Sequence, residues 1–218
     1  MKNIYKQLQQ ILSIVIAGSA HSVKVSFMLG SQAAFFSLGQ SISPALGFFG
    51  NPLMLFVLYA TRISMQAYFF GAALLASSAF YLPSLCAAFY LSNKSALVRS
   101  IVPLACIALF ITHPVGSQAA GYATYWLIPI VISFIPTQSI LLRSLGSTFV
   151  AHAVGSVLWL FSHNLDAANW SALSSIVWAE RLMIALGMTA LYYAVVYSTA
   201  YAQLLLSNKH YSTAKKAN

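Results

Sequence analysis

Acid is almost missing from this chain. Among 218 residues only Asp166 and Glu180 are acidic, and residues 1–165 hold neither Asp nor Glu. Charged residues make up 6% of the sequence, against about a quarter in a soluble domain. Such a composition cannot coat a globule in water, which argues against a soluble fold. With only two carboxylates, two-acid or multi-carboxylate metal catalysis within one chain is not expected. Cysteine is scarce too. Cys86 and Cys106 lie in apolar stretches with no CxxC partner and read as small buried hydrophobes rather than a disulfide or metal site. HExxH, GxSxG and Walker signatures are absent, so neither an enzyme, a metal nor a cofactor is expected.

What is present is apolar. Hydrophobic residues form 60% of the chain, in long blocks rich in Ala, Leu, Ile and Phe that cover most of residues 8–206. A membrane-spanning helix needs about 20 such residues, whereas a β-barrel shows short alternating strands between polar turns. The expected fold is therefore all-α: a polytopic transmembrane bundle of six to eight helices, with both termini cytoplasmic. Residues 1–206 form a single transmembrane domain, and residues 207–218 a polar, frayed cytoplasmic tail. The basic start, an apolar run to Ala20 and the small residues Ala17-Gly18-Ser19-Ala20 imitate a signal peptide, but with a membrane-embedded chain to follow they read as the first membrane helix.

The net charge of +9 resembles a nucleic-acid signal until the positions are read. Lys2, Lys6, Lys94, Arg99, Arg143, Lys209, Lys215 and Lys216 flank apolar blocks, the pattern by which Lys and Arg in short loops orient a protein. They imply a lipid partner and no nucleic acid, and they place residues 92–99 and 137–143 in the cytoplasm. Two hairpins follow. One has arms at 101–112 and 119–135 with its turn at 113–117. The other has arms at 145–161 and 174–206 with an outer loop at 162–173. Upstream, residues 66–91 read as one helix bent at Pro83, Gly50-Asn51-Pro52 as a turn, and residues 30–50 as a broken or re-entrant segment.

The remaining cations, Lys24, Arg62 and Arg181, do not fit the orientation pattern. Ionisable groups in a membrane face a partner or a wet cavity and often mark a substrate path, or they snorkel to headgroups. Glu180 and Arg181 are adjacent and leave a helix about 100° apart, so each is expected to pair elsewhere, Glu180 with Arg62 or Lys24. His152 shares a polar face with Thr148 and Ser156 at helical spacing. It either bonds a neighbouring helix or serves a ligand or proton. The substrate-binding candidates are Arg62, His113, Gln118, Tyr122, His152, Glu180 and Arg181. Tyr122, Tyr125, Trp126, Trp159, Trp170 and Trp178 read mostly as interface belts. The pattern HxVGS recurs at His113 and His152 and reads as coincidence.

Small-residue helix faces, Ala72-Ala73-Leu74-Leu75-Ala76 and Ala151-His152-Ala153-Val154-Gly155, join the size and topology in a resemblance to the substrate-binding S components of energy-coupling-factor transporters. The resemblance implies six helices, a bound small molecule, and docking of a coupling subunit through small residues spaced like Ala72 and Ala76. It carries over no substrate residue, and the stretches around 113–129 and 147–156 look like a distinct membrane family. The leading expectation is a small-molecule uptake or binding subunit in a bacterial cytoplasmic (inner) membrane, energised by partner subunits. The alternatives are a scaffold or assembly protein without substrate, or a haem- or quinone-binding protein using His113 and His152.

Overall fold

The computed structural model describes residues 2–20, 24–25, 36–37, 43–50, 52–70 and 79–217. The fold is all-α, apart from one two-residue antiparallel pairing of β1 (Lys24–Val25) with β2 (Phe36–Ser37). Helix α1 (Lys2–Ala20) is followed by the buried 3-10 helix Ser43–Phe48, which lies in the stretch expected to be broken or re-entrant. Gln10 of α1 donates to the Phe49 carbonyl at 2.9 Å and ties the two together. Helix α2 (Pro52–Phe70) starts on the proline of the expected turn, where a fixed φ and a missing N–H suit the first helical position.

The reading of residues 66–91 as one bent helix is corrected. A 3-10 turn, Ala79–Tyr81, interrupts the run, and α3 (Leu82–Ser92) begins afresh with Pro83 in its first turn. Proline is tolerated there because a first-turn N–H has no intrahelical acceptor to lose. Ala72 and Ala76 lie outside the described residues. Helix α4 (Ala96–Thr112) then leads through the short α5 (Pro114–Gln118) and α6 (Ala120–Ala123) to the 3-10 turn Thr124–Trp126 and α7 (Leu127–Phe134). The expected continuous arm 119–135 is thus broken. Pro129 has no N–H for the Tyr125 carbonyl and its ring crowds that carbonyl, so the chain tightens to 3-10 geometry just before it.

Helix α8 (Ile140–Ser162) is the axis of the bundle. It packs against α3, α4, α7 and the last helix, α9 (Ala167–Ala217). Small residues allow the close approach: Gly146, Ser147 and Ala153 are buried. A Cβ at Gly146 would stand 2.5 Å from the Tyr90 hydroxyl of α3, and Ser147 donates to the Ala87 carbonyl of α3 at 2.9 Å. Gly47 plays the same part for the 3-10 helix, because a Cβ there would collide with the Ala88 carbonyl.

Helix α9 is 51 residues long, about 76 Å by helical rise. The expected frayed tail is corrected, since the helix runs on to Ala217. One stripe of α9 is buried: Trp170, Val177, Ala185, Met188, Leu191, Val195 and Thr199. Its other side is equally apolar yet bare, with Trp178, Leu182, Met183, Leu186, Tyr193 and Tyr197 exposed. A helix that is apolar all round belongs inside a large core or in lipid, and large bare apolar surfaces mark a membrane or partner. Among the described residues, two helices are long and apolar enough to cross a membrane by length and composition, Ile140–Ser162 and Ala167–Ser207.

The close approach at Gly146 is testable. Gly146→Ala is expected to destabilise the detergent-solubilised protein by about 1–3 kcal/mol, the usual penalty for overpacking, read as a drop in Tm. Tyr90→Phe removes the nearest clashing atom, so the double variant should lose less than the sum of the single losses. Strict additivity would contradict the contact.

Candidate functional site

Four of the seven candidates are brought together at mid-depth where α6, α7, α8 and α9 meet. His152 is held from two sides. The Trp126 indole, which can only donate, gives its N–H to His152 Nδ1 at 3.2 Å. Nδ1 is therefore unprotonated, and a neutral ring carries its hydrogen on Nε2. Nε2–H then donates to the Tyr122 hydroxyl at 2.7 Å, leaving that hydroxyl free to donate to Ser156 Oγ, 3.4 Å away. Both ring nitrogens are engaged, so coordination of a metal or receipt of a proton would first have to break one of these bonds.

Aromatic rings enclose this chain of bonds. Phe110 of α4 meets Tyr122, Trp126 and Trp170 at centroid distances of 5.8, 5.1 and 5.3 Å. Tyr122 also contacts Trp170 at 5.1 Å. Phe149 and Trp178 close the side towards Tyr125, whose hydroxyl donates to the Ser174 carbonyl at 3.0 Å. Each such edge or offset pair adds roughly 0.5–1.5 kcal/mol beyond its buried area. Trp126 and Trp170 are 0% and 2% exposed. The expectation of interface belts is corrected for these two: the breaks around α6 turn Trp126 inward, and Trp170 lies on the buried stripe of α9 against Phe110 and Tyr122.

Glu180 and Arg181 lie deeper along α9, about 20 Å from its start by helical rise. The expectation that neighbours on a helix do not pair is corrected: Arg181 Nη2 and Glu180 Oε2 are 2.6 Å apart, with side chains 12% and 15% exposed. Both side chains are long enough to bridge the angular step, and an apolar setting makes two separate ions far costlier than one closed pair. The pair lies next to the His152 group. Thr148, one turn before His152, reaches the Arg181 carbonyl at 3.4 Å, and the Arg181 charge acts on both His152 and Tyr122. Among the described side chains of this group and of α9 beside it, Arg181 Nε and Trp170 Nε1 are buried donors without a partner.

The other candidates stand apart. His113 caps α5, its Nδ1 accepting from Val115 N at 3.2 Å while its ring packs on Phe161. Gln118 is exposed and donates to the Pro114 carbonyl within the same turn. Arg62 and Lys24 lie on α2 and β1, and their side chains are outside the described residues, as are the ion pairs expected of them. Asp166, the other acid, caps α9 by accepting from Asn169 N at 2.8 Å. Among the described residues no three His, Cys, Asp or Glu side chains gather into a metal-binding group. The two HxVGS segments have unlike settings, a cap at His113 and a mid-helix bond network at His152.

One repeat in the sequence was overlooked. Asn93-Lys94-Ser95-Ala96-Leu97-Val98-Arg99 and Thr137-Gln138-Ser139-Ile140-Leu141-Leu142-Arg143 share a pattern, with a polar residue, a serine two places on and an arginine four beyond that. In both loops the first side chain accepts from the serine N at 3.0 Å. The serine then caps the next helix, accepting from Val98 N or Leu142 N. The arginines cross over. Arg99 of α4 donates to the Ser133 carbonyl ending α7, and Arg143 of α8 donates to the Leu91 carbonyl ending α3. Spacing alone carried this signal, but orientation by charge had already explained the two arginines.

No family model, no curated protein and no solved structure matches the chain.

Two outcomes check this site. Glu180→Gln strands a buried guanidinium and should cost about 3–5 kcal/mol, while the double change Glu180→Gln with Arg181→Gln should recover much of that in thermal unfolding. The His152 tautomer is open to nitrogen-15 NMR: a bare Nδ1 and a protonated Nε2 are expected, and Trp126→Phe should disturb the Nδ1 signal first.

Proposed function

We propose that this chain is an integral membrane protein spanning a bacterial cytoplasmic membrane as a multi-helix bundle, and that its polar centre binds a small molecule for uptake. The observation that carries the reading is the mid-depth Glu180–Arg181 pair beside the His152–Tyr122 bonds, inside helices that are otherwise apolar. Ionisable groups at that depth are expensive and usually functional. The polar atoms left over are of one kind, the donors Arg181 Nε and Trp170 Nε1. A ligand with an anionic or acceptor-rich head would complete Arg181 Nε, and an acceptor farther along its body would be needed for Trp170 Nε1, eleven residues earlier on α9 and about 16 Å away by helical rise. The rings of Phe110, Tyr122 and Trp170 suit a flat, apolar body. On this reading the arrangement is the closed, ligand-free state. The chain has no nucleotide-binding motif, so energy would come from partner subunits, as the S-component resemblance implies, or from an ion gradient.

A second reading, a membrane scaffold without substrate, is favoured by a specific observation. His152 has both nitrogens engaged and Glu180 is closed on Arg181, which is how a helix lock would be built.

The two readings separate on gently purified protein. Carbonate washing should first leave the chain in the membrane fraction. Mass spectrometry should then find a small organic acid or acceptor-rich molecule retained at near one per chain, and lost in Arg181→Lys and Trp170→Phe at unchanged yield. Empty protein from several membrane extracts, with both variants stable, would favour the scaffold.

A further inference from the structure

The end of the bundle that carries Arg99 and Arg143 has a charge without an answer. The chain holds two acids. Asp166 caps α9 beyond the far end of α8, and Glu180 is closed on Arg181. No carboxylate remains for Arg99, Arg143 or Lys94. Yet the two arginines meet adjacent residues of α3, Arg99 lying over the Tyr90 ring and Arg143 donating to the Leu91 carbonyl. Both occupy the fourth position of a helix, α4 and α8, where the positive end of the helix dipole disfavours a cation.

Each guanidinium is also fixed in place. Arg99 rides on the Tyr90 ring at 5.4 Å and Arg143 on the Phe48 ring at 5.0 Å. Among the described residues each makes one hydrogen bond, to the Ser133 or the Leu91 carbonyl, out of five donors that a guanidinium carries. Arg99 Nε is buried without a partner among the described residues. Both side chains are half-buried, so part of each stays within reach of the surface. Two planar, preorganised forks of one sign, without acid to neutralise them, match the geometry of a phosphate.

We propose that Arg99 and Arg143 form a binding site for the phosphate of an anionic lipid headgroup, at the end of the bundle where the loops 93–95 and 135–139 meet the bilayer surface. The site rests on the membrane reading above. The lipid supplies the missing counter-charge, and the paired loops with their Ser95 and Ser139 caps hold the forks at headgroup level. Lys94, exposed on the first loop, adds long-range attraction but no fixed contact.

The test is native mass spectrometry of the full chain in detergent, titrated with phosphatidylglycerol, with phosphatidylcholine, and with inorganic phosphate as competitor. The wild type should retain phosphatidylglycerol at least about tenfold better, and Arg99→Lys and Arg143→Lys, which keep the charge but lose the fork, should each lose about tenfold, the worth of one charge-assisted bond. Lys94→Gln should stay within about twofold of wild type. Phosphatidylglycerol should raise the Tm of the wild type and not of the lysine variants, a readout independent of variant stability. Equal retention of both lipids, unchanged retention in the lysine variants, or full displacement by millimolar phosphate would overturn the lipid site. Release of the chain by carbonate would instead remove the membrane reading beneath it.

Discussion

The hydroxyl of Tyr90 is the point on which the bundle closes. It donates to the Pro129 carbonyl of α7 at 2.9 Å and accepts from Ser133 at 3.2 Å. It also fills the hollow left by Gly146 on α8, while Arg99 of α4 lies over its ring. One side chain from α3 thereby fixes three other helices near the arginine end. That closure sets how α7 enters the bundle and, through α7, where Trp126 meets His152. The deeper aromatic group depends on an anchor about two turns away.

Most described polar side chains in this bundle are met by backbone or by one another, Arg99 Nε, Trp170 Nε1 and Arg181 Nε excepted. Serine and threonine hydroxyls bond carbonyls of their own or neighbouring helices, as at Ser147 and Thr199. The arginines at one end bond helix-terminal carbonyls, which have no intrahelical donor. With so few acids, the chain uses backbone carbonyls where a soluble protein would use carboxylates. Glu180 is the exception. It is closed on Arg181, which among the described residues lies well inside α9, away from any helix end.

Much of the all-helical class could be read from composition, since nothing but helices can bury apolar blocks of this length without loose backbone groups. The break at His113 and the start of α2 followed from Pro and Gly placement and the loop within 92–99 from its basic residues, whereas the turn expected at 113–117 is largely the short helix α5. Boundaries set by local geometry did not follow in this way. Pro83 starts a helix that had been taken as bent, and Pro129 breaks one that had been taken as whole. Proline says that a hydrogen bond is missing, not whether the chain uses the gap as a start or a kink. At the site, His152 was legible from its polar face with Thr148 and Ser156 at helical spacing, and Tyr122 was named as a candidate without its bond to His152. Trp126, Trp170 and the Glu180–Arg181 closure were not, because whether a tryptophan faces lipid or core, and how two long side chains fold back, depends on the tertiary packing around them.

The account stands on the depth of the Glu180–Arg181 pair. Nitroxide labels at exposed positions 178, 182, 186, 193 and 197 of α9, in protein reconstituted into bilayers, report depth through collisions with lipid-soluble oxygen and with a water-soluble nickel complex. The expected profile has oxygen contact highest and nickel contact lowest around 182 and 186, beside the pair. High nickel contact at those two positions would put the pair in water and contradict the account.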